Sequence, residues 1–147
     1  MYAKKILVPV DFSDLNDAAI ALASNLASDT GAKLMFMYVD EPTVAYGGAG
    51  DVFYSALPDD HESLRRRLKE TQPTQSEVGY EHHLLNGDPA SEIVHFAAQE
   101  EVDLIVMGTH GRSGLTRFLM GSVAEAVVRR APCPVFTLKQ PVHELAM

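Results

Sequence analysis

Short apolar runs alternate with amphipathic segments along the whole chain, and this alternation limits the folds open to it. The first run, Ile6-Leu7-Val8 followed by Val10, is almost continuously apolar. Such a run is typical of a strand that is covered on both faces, as in a parallel sheet between two helical layers. Because parallel strands need crossover connections, which helices usually supply, the sequence predicts an α/β protein.

The predicted element order is β-α-β-(loop)-α-β-α-β-α-β. Strands are predicted at 4–10, 32–39, 78–85, 102–107 and 133–138, and helices at about 14–28, 58–71, 89–101 and 121–130. Ser13 or Asp14 is the expected N-cap of the first helix, and Asp88 that of the third. Residues 43–57 are predicted to be a long loop, either a flap over a site or a surface excursion. The run Arg65-Arg66-Arg67 is expected to be a solvated face, because three consecutive residues point in different directions around a helix.

Composition excludes several classes of protein. The chain of 147 residues fits one domain, 1–147, with a loose tail from about 140. A net charge of −8 argues against a nucleic-acid binder and a polybasic membrane anchor. No apolar run approaches the roughly 18 residues of a membrane span, so no membrane insertion is expected. The single cysteine, Cys133, allows no internal disulfide, and the expected location is cytoplasmic.

One glycine-rich stretch, from Asp103 to Val123, indicates an anion site. It has the pattern of an apolar strand, a loop with several glycines and the start of an amphipathic helix. The first N–H groups of a helix have no partner within it and lie at the positive end of its dipole. Glycines allow the backbone to approach a phosphate closely. The stretch therefore predicts a phosphate site, where Ser122 adds a hydroxyl.

A second feature points to the same place. In open α/β sheets, ligands bind beyond the carboxyl ends of the strands, where the strand order reverses. If the first and fourth strands are neighbours, Asp11 and Gly108 face one crevice. Asp11 can accept hydrogen bonds from sugar hydroxyls or help to hold a cation. Arg112 can counter phosphate charge or be solvated, and His110 is either a pH-sensitive contact or an ordinary loop histidine.

Common nucleotide motifs are missing, but one glycine pattern remains. The chain has no P-loop and no Gly-x-Gly-x-x-Gly fingerprint, and the loop after the first strand lacks a pyrophosphate-binding Ser-Gly-Gly sequence. It does contain Gly108-x2-Gly111-x9-Gly121-Ser122, together with Ile-Leu-Val-Pro-Val-Asp11-Phe-Ser at its start and Ala-Pro-Cys-Pro-Val near its end. This combination resembles the ATP-binding members of the universal stress protein family, and the resemblance covers essentially the whole chain.

The resemblance implies a Rossmann-like fold of the adenine nucleotide alpha hydrolase type, with a five-stranded parallel sheet in the order 3-2-1-4-5. It implies a stress-response regulator or sensor that binds ATP or AMP, with Mg²⁺ as a possible companion of the phosphates. It also implies a homodimer paired through the fifth strand, from Cys133 to Leu138. The implied nucleotide contacts are Pro9, Val10 and Asp11 for adenosine, Val39 for adenine, Met107 and Gly108 for ribose, and Gly111, Gly121, Ser122 and Val123 for the phosphates.

The chain departs from the commonest family pattern at Phe12, where many members have glycine after the aspartate. No catalytic residue and no metal ligand set is identified, so a binding protein is the first hypothesis. A slow Mg²⁺-dependent ATPase or phosphotransferase that uses Asp11 is the second. A nucleotide-free interaction protein is the third.

Overall fold

The computed structural model describes residues 3–13, 15–41, 44–46, 52–54, 58–109 and 120–139. The elements in chain order are β1 (Lys5–Pro9), α1 (Asn16–Thr30), β2 (Lys33–Asp40), β3 (Val44–Tyr46), β4 (Val52–Tyr54), α2 (Pro58–Glu70), β5 (Tyr80–Asn86), α3 (Pro89–Gln99), β6 (Leu104–Gly108), α4 (Ser122–Arg130) and β7 (Val135–Leu138).

The main sheet is parallel and has the order β5-β2-β1-β6-β7. Numbered among themselves, these strands have the order 3-2-1-4-5, so the predicted fold class is confirmed. β1 pairs with β2 on one side and with β6 on the other. The chain therefore first adds strands on one side of β1, β2 and β5, and later adds β6 and β7 on its other side. This reversal opens a crevice at the carboxyl ends of β1, β2 and β6.

Alternating side chains of the central strands fill two separate cores. Ile6 and Val8 belong to the core that contains the buried residues of α1. Leu7 belongs to the core that contains the buried faces of α3 and α4. All three side chains are fully buried. This distribution explains why β1 is apolar at consecutive positions and does not alternate with polar residues.

The predicted ends of α1 are confirmed only in part. Gly31 closes α1 in the left-handed conformation, with φ 77°. The expectation of a Ser13 cap is wrong, because the N-cap position is Leu15 and no side chain caps α1 there. Asp14, the other expected cap, lies outside the described residues. The predicted fifth strand begins later than expected, at Val135, after Pro134.

The prediction of an uninterrupted loop over 43–57 is wrong. β3 and β4 lie within it and pair with each other as a two-stranded antiparallel sheet, with Ala45 opposite Phe53. Strands of three residues are too short to show a period in the sequence. The remaining residues of this segment and the tail from 140 lie outside the described part of the chain.

The amino-terminal ends of the strands are joined by one carboxylate. Asp103 Oδ2 accepts hydrogen bonds from the backbone N–H groups of Lys4, at 2.8 Å, and Lys5, at 3.0 Å. The Lys5 ammonium donates to the carbonyl of Glu100, just after α3, at 2.9 Å. These contacts hold the end of the sheet opposite the crevice. Within the described ranges, no helix is both long and apolar enough to cross a bilayer.

Candidate functional site

A cavity of about 340 Å³ lies at the carboxyl ends of β1, β2 and β6. Its size is within the range of about 300–1,000 Å³ that is common for small-molecule sites. The sequence-predicted site residues that line it are Pro9, Val10, Asp11, Val39, Met107, Gly108, Gly121, Ser122 and Val123. Three further predicted residues, His110, Gly111 and Arg112, lie outside the described part of the chain.

The start of α4 supplies backbone donors to this cavity. Gly121 is the N-cap residue, with extended backbone and no side-chain cap, and its carbonyl accepts from the N–H of Glu125 at 2.9 Å. The N–H of Gly121 donates to the Thr109 carbonyl at 2.6 Å, which fixes the helix start beside β6. The residues of the first turn, Ser122, Val123 and Ala124, line the cavity. Their N–H groups have no carbonyl acceptor within the helix, so this end of α4 suits an anion.

The start of α3 also borders the cavity, but it is capped differently. Asp88 is its N-cap, and the carboxylate accepts from the N–H of Ser91 at 3.0 Å. This backbone hydrogen bond is the main reason why the pKa of Asp88 is lowered. Pro89, the first residue of α3, has no N–H to offer. The start of α3 is therefore capped by a carboxylate, whereas the start of α4 has no side-chain cap, and the acidic residue of its first turn, Glu125, pairs with Arg129.

The loop after β1 is held by its own polar groups. The N–H of Val10 donates to the Met37 carbonyl at 2.8 Å. Asp11 Oδ1 accepts from the N–H of Ser13 at 3.0 Å, and the N–H of Asp11 donates to Asn16 Oδ1 at 3.3 Å. One oxygen of the Asp11 carboxylate is therefore held by a hydrogen bond within the loop, and Asp11 also lines the cavity.

Phe12 lies at the apex of this loop in an unusual backbone conformation. Its φ is 60°, a left-handed value that costs a residue with a side chain about 1–2 kcal/mol. The ring packs against Tyr38, with centroids 5.7 Å apart, and the Arg67 guanidinium carbon lies 4.3 Å from the Phe12 ring centroid. An aromatic pair contributes about 0.5–1.5 kcal/mol and an exposed cation–π contact about 0.5–1 kcal/mol. The ring contacts therefore offset the backbone strain.

Several lining residues were not predicted from the sequence. Asn16 accepts a hydrogen bond through its side-chain amide oxygen and Thr109 through its backbone carbonyl, and no residue pattern distinguishes these roles from those of ordinary loop residues. Ile93 comes from α3, which shares a core with α4, and only the fold brings it to the crevice. Ala19 and Ala124 are small residues whose size leaves room in the cavity, a role that their helical spacing does not reveal.

The charges around the cavity are uneven. Of the described residues that line it, Asp11 and Glu41 are acidic and none is lysine or arginine. In the described part of the chain, no group of three or more His, Cys, Asp or Glu side chains could hold a metal ion. An anion at the α4 end would depend on backbone donors, with any further positive charge coming from a cation or from residues beyond the described ranges.

The family model described as "Universal stress protein family" matches residues 2–139. Universal stress protein MJ0531 of Methanocaldococcus jannaschii is 38% identical over 147 residues, which is 96% of this chain and 85% of that protein. The chain belongs to the universal stress protein family. The resemblance noted in the sequence is thus confirmed.

Solved structures share the same fold. Universal stress protein UspA from Lactobacillus plantarum is 28% identical and superimposes with a TM-score of 0.74, over 95% of this chain and 99% of that one. A universal stress protein from Archaeoglobus fulgidus, solved in complex with dAMP, is 27% identical with a TM-score of 0.62, over 95% of this chain and all of that one.

The left-handed backbone at Phe12 leads to a prediction on stability. Phe12→Ala and Phe12→Gly both delete the ring, but only glycine adopts φ near 60° without strain. Urea unfolding should therefore show the glycine variant to be more stable than the alanine variant by about 1 kcal/mol. Ala18→Gly, at an exposed position of α1, is the control and should be destabilising. Equal stability of the two Phe12 variants would contradict a strained backbone.

Proposed function

We propose that this protein binds an adenine nucleotide, ATP or AMP, in the cavity at the carboxyl ends of β1, β2 and β6. The observation that carries the proposal is the uncapped start of α4 at one end of a cavity of suitable size. The dAMP complex of the Archaeoglobus fulgidus relative supports it, because that protein has the same fold. A cytoplasmic role in the regulation or sensing of stress is part of the same proposal, since family membership implies it.

The phosphates would lie at the start of α4. Ser122 would offer its hydroxyl and, with Val123, backbone N–H groups, beside Gly121, which carries no side chain. His110, Gly111 and Arg112 are proposed as further phosphate contacts on the strength of the family pattern alone. The two helix starts at the crevice differ in charge, because Asp88 already supplies an anion to α3. This difference favours α4 as the phosphate end.

The nucleoside would occupy the part of the cavity beside β1 and β2. Pro9 and Val10 supply apolar contact, and Val39 lies at the carboxyl end of β2, where its backbone can meet the adenine edge. Asp11 can accept hydrogen bonds from the ribose hydroxyls with the oxygen that Ser13 does not engage. Met107 and Gly108, at the end of β6, would border the ribose.

Mg²⁺ fits this site only as a companion of the phosphates. Asp11, in the loop after β1, is one of two described carboxylates that line the cavity, and a magnesium ion commonly combines one or two carboxylates with phosphate oxygens and water. A bound ion would reduce the repulsion between the phosphates and the carboxylates of Asp11 and Glu41. The proposal therefore assigns Asp11, with the phosphates, to any Mg²⁺ that is bound.

Slow Mg²⁺-dependent hydrolysis of ATP is the alternative function, because Asp11 shares the cavity with the proposed phosphate site. It predicts turnover that requires Mg²⁺ and is lost in Asp11→Asn. Phosphate release by the purified protein, measured with and without Mg²⁺, distinguishes it from binding alone. Turnover that survives in Asp11→Asn would contradict this alternative.

The homodimer is proposed to form through β7, the outer strand on one side of the sheet. Pro134 and Leu138 accept hydrogen bonds from Ile105 and Thr109, so their backbone groups face β6. Because neighbouring residues of a strand face opposite sides, the backbone groups of Val135 and Thr137 face the outer edge. The short strand and the half-exposed Phe136 make this edge available to a second copy.

The phosphate site can be tested by placing a negative charge at the start of α4. Ser122→Asp should weaken the binding of ATP and AMP at least about tenfold, because a carboxylate there takes the donors and repels phosphate. Ser122→Asn is the matched neutral control and should bind much more tightly than the aspartate variant. Calorimetry measures both, and adenosine, which has no phosphate, should bind similarly to the two variants.

The aspartate variant is not expected to unfold, because a carboxylate at the first helical position favours the helix dipole. Nucleotide affinities that are the same for Ser122→Asp and Ser122→Asn would contradict the proposed phosphate position. A native protein that binds neither ATP nor AMP would contradict the proposed function itself.

The dimer can be tested by removing one outward N–H from β7. Thr137→Pro should convert the dimer to a monomer at micromolar concentration, because proline cannot donate to a partner strand. Leu84→Pro, at an exposed position of the opposite edge strand β5, is the matched control and should leave the dimer intact. Light scattering reports both masses, and a native protein that is already monomeric would contradict the proposal.

A further inference from the structure

Arg67 of α2 reaches across to the loop that follows β1. Its guanidinium carbon lies 4.3 Å from the centroid of the Phe12 ring, which also contacts Tyr38, at 5.7 Å between centroids, and packs against the core that contains α1. Arg67 is exposed, as the sequence predicted for the arginine run. It nevertheless makes a specific contact, so this arginine is more than part of a solvated face.

The stack formed by Arg67, Phe12 and Tyr38 lies between two concave surfaces. Tyr38 lines the nucleotide cavity. Phe12 and Arg67 line a neighbouring, more open groove of about 590 Å³, between the loop after β1, α1 and the end of α2. Ser13 and Asn16 line both surfaces. The loop after β1 is therefore the wall between them, with Phe12 and Arg67 on the groove side and Tyr38 on the cavity side.

The backbone couples this stack to Asp11. Phe12 is the residue between Asp11 and Ser13, and the hydrogen bond from the Ser13 N–H to Asp11 Oδ1 spans it. The length of that bond, 3.0 Å, depends on the left-handed φ of Phe12, because the torsion sets where the Ser13 N–H points. Without its ring contacts, Phe12 would have little to oppose the backbone strain. The loop would then relax and the Asp11 carboxylate would turn.

We propose that Arg67 is a positioning residue for nucleotide binding, which holds the loop of Phe12 in its left-handed form and thereby orients the Asp11 carboxylate. This inference rests on the proposed function and adds to it a residue on α2 that does not line the cavity. The affinity for the nucleotide would then depend on Arg67, a side chain outside the cavity, because Arg67 sets the orientation of the carboxylate that contacts the ribose.

Arg67→Ala and Arg66→Ala make a matched pair of variants. Both remove one positive charge from an exposed position of α2, and both introduce a residue that favours helix. Arg66 does not line the groove. Calorimetry with AMP should show about two- to fivefold weaker binding for Arg67→Ala, and native affinity for Arg66→Ala. Arg67→Lys should recover part of the loss, because an ammonium can also lie over the ring.

The route through Asp11 is tested in the Asp11→Asn background. There, Arg67→Ala should weaken AMP binding no further, because the group that Arg67 orients is already changed. Phe12→Leu, which keeps an apolar side chain but has no ring, should reproduce the loss in the native background. In the absence of nucleotide, the amide resonance of Ser13 should shift in Arg67→Ala and stay in place in Arg66→Ala.

Two outcomes overturn the inference and leave the proposed function standing. One is equal AMP affinity of Arg67→Ala and Arg66→Ala while the native protein binds AMP. The other is a full, additional loss from Arg67→Ala in the Asp11→Asn background, which would mean that Arg67 acts by another route. A native protein that binds neither AMP nor ATP overturns the proposed function and this inference with it.

Discussion

Backbone pairing on both sides of β1 is the constraint on which the rest of the structure depends. Because β1 lies between β2 and β6, its side chains are buried toward both helical layers, and its carboxyl end opens into the crevice where the chain changes direction. Asp11, in the loop after β1, and Gly108, the last residue of β6, come together there although they are far apart in sequence. The crevice is a consequence of topology, and the loops determine what it can bind.

The two helix starts at the crevice differ chemically, and this difference favours one orientation of a bound ligand. Asp88 closes the start of α3 with a carboxylate, whereas Gly121 leaves the start of α4 to be satisfied by another group. A ligand with an anionic end has one favourable orientation in such a cavity. On the other side, the Asp11 carboxylate is suited to hydroxyl donors. Together these features favour a molecule with a sugar at one end and phosphate at the other.

The parts of the structure that depend on long periodic patterns were predictable. Gly31 as the end of α1 and Asp88 as the cap of α3 follow from residue types with strong local preferences, whereas the strand order was expected from the family resemblance. The hairpin of β3 and β4 was not, because three-residue strands carry no period. The left-handed backbone at Phe12 was not predictable either, since it depends on tertiary contacts with Tyr38 and Arg67. Nine cavity residues were predicted from the glycine-rich stretch and from the family resemblance, whereas Ile93 reaches the cavity from α3 only through the fold.

Mass spectrometry of the natively purified protein is the most direct test of the account, because it identifies whatever small molecule the cavity retains. We expect an adenine nucleotide bound at one copy per chain, which is displaced by added ATP or AMP and is not retained by Ser122→Asp. It would be contradicted by a native protein that carries no adenine nucleotide and takes up none when either nucleotide is added in excess.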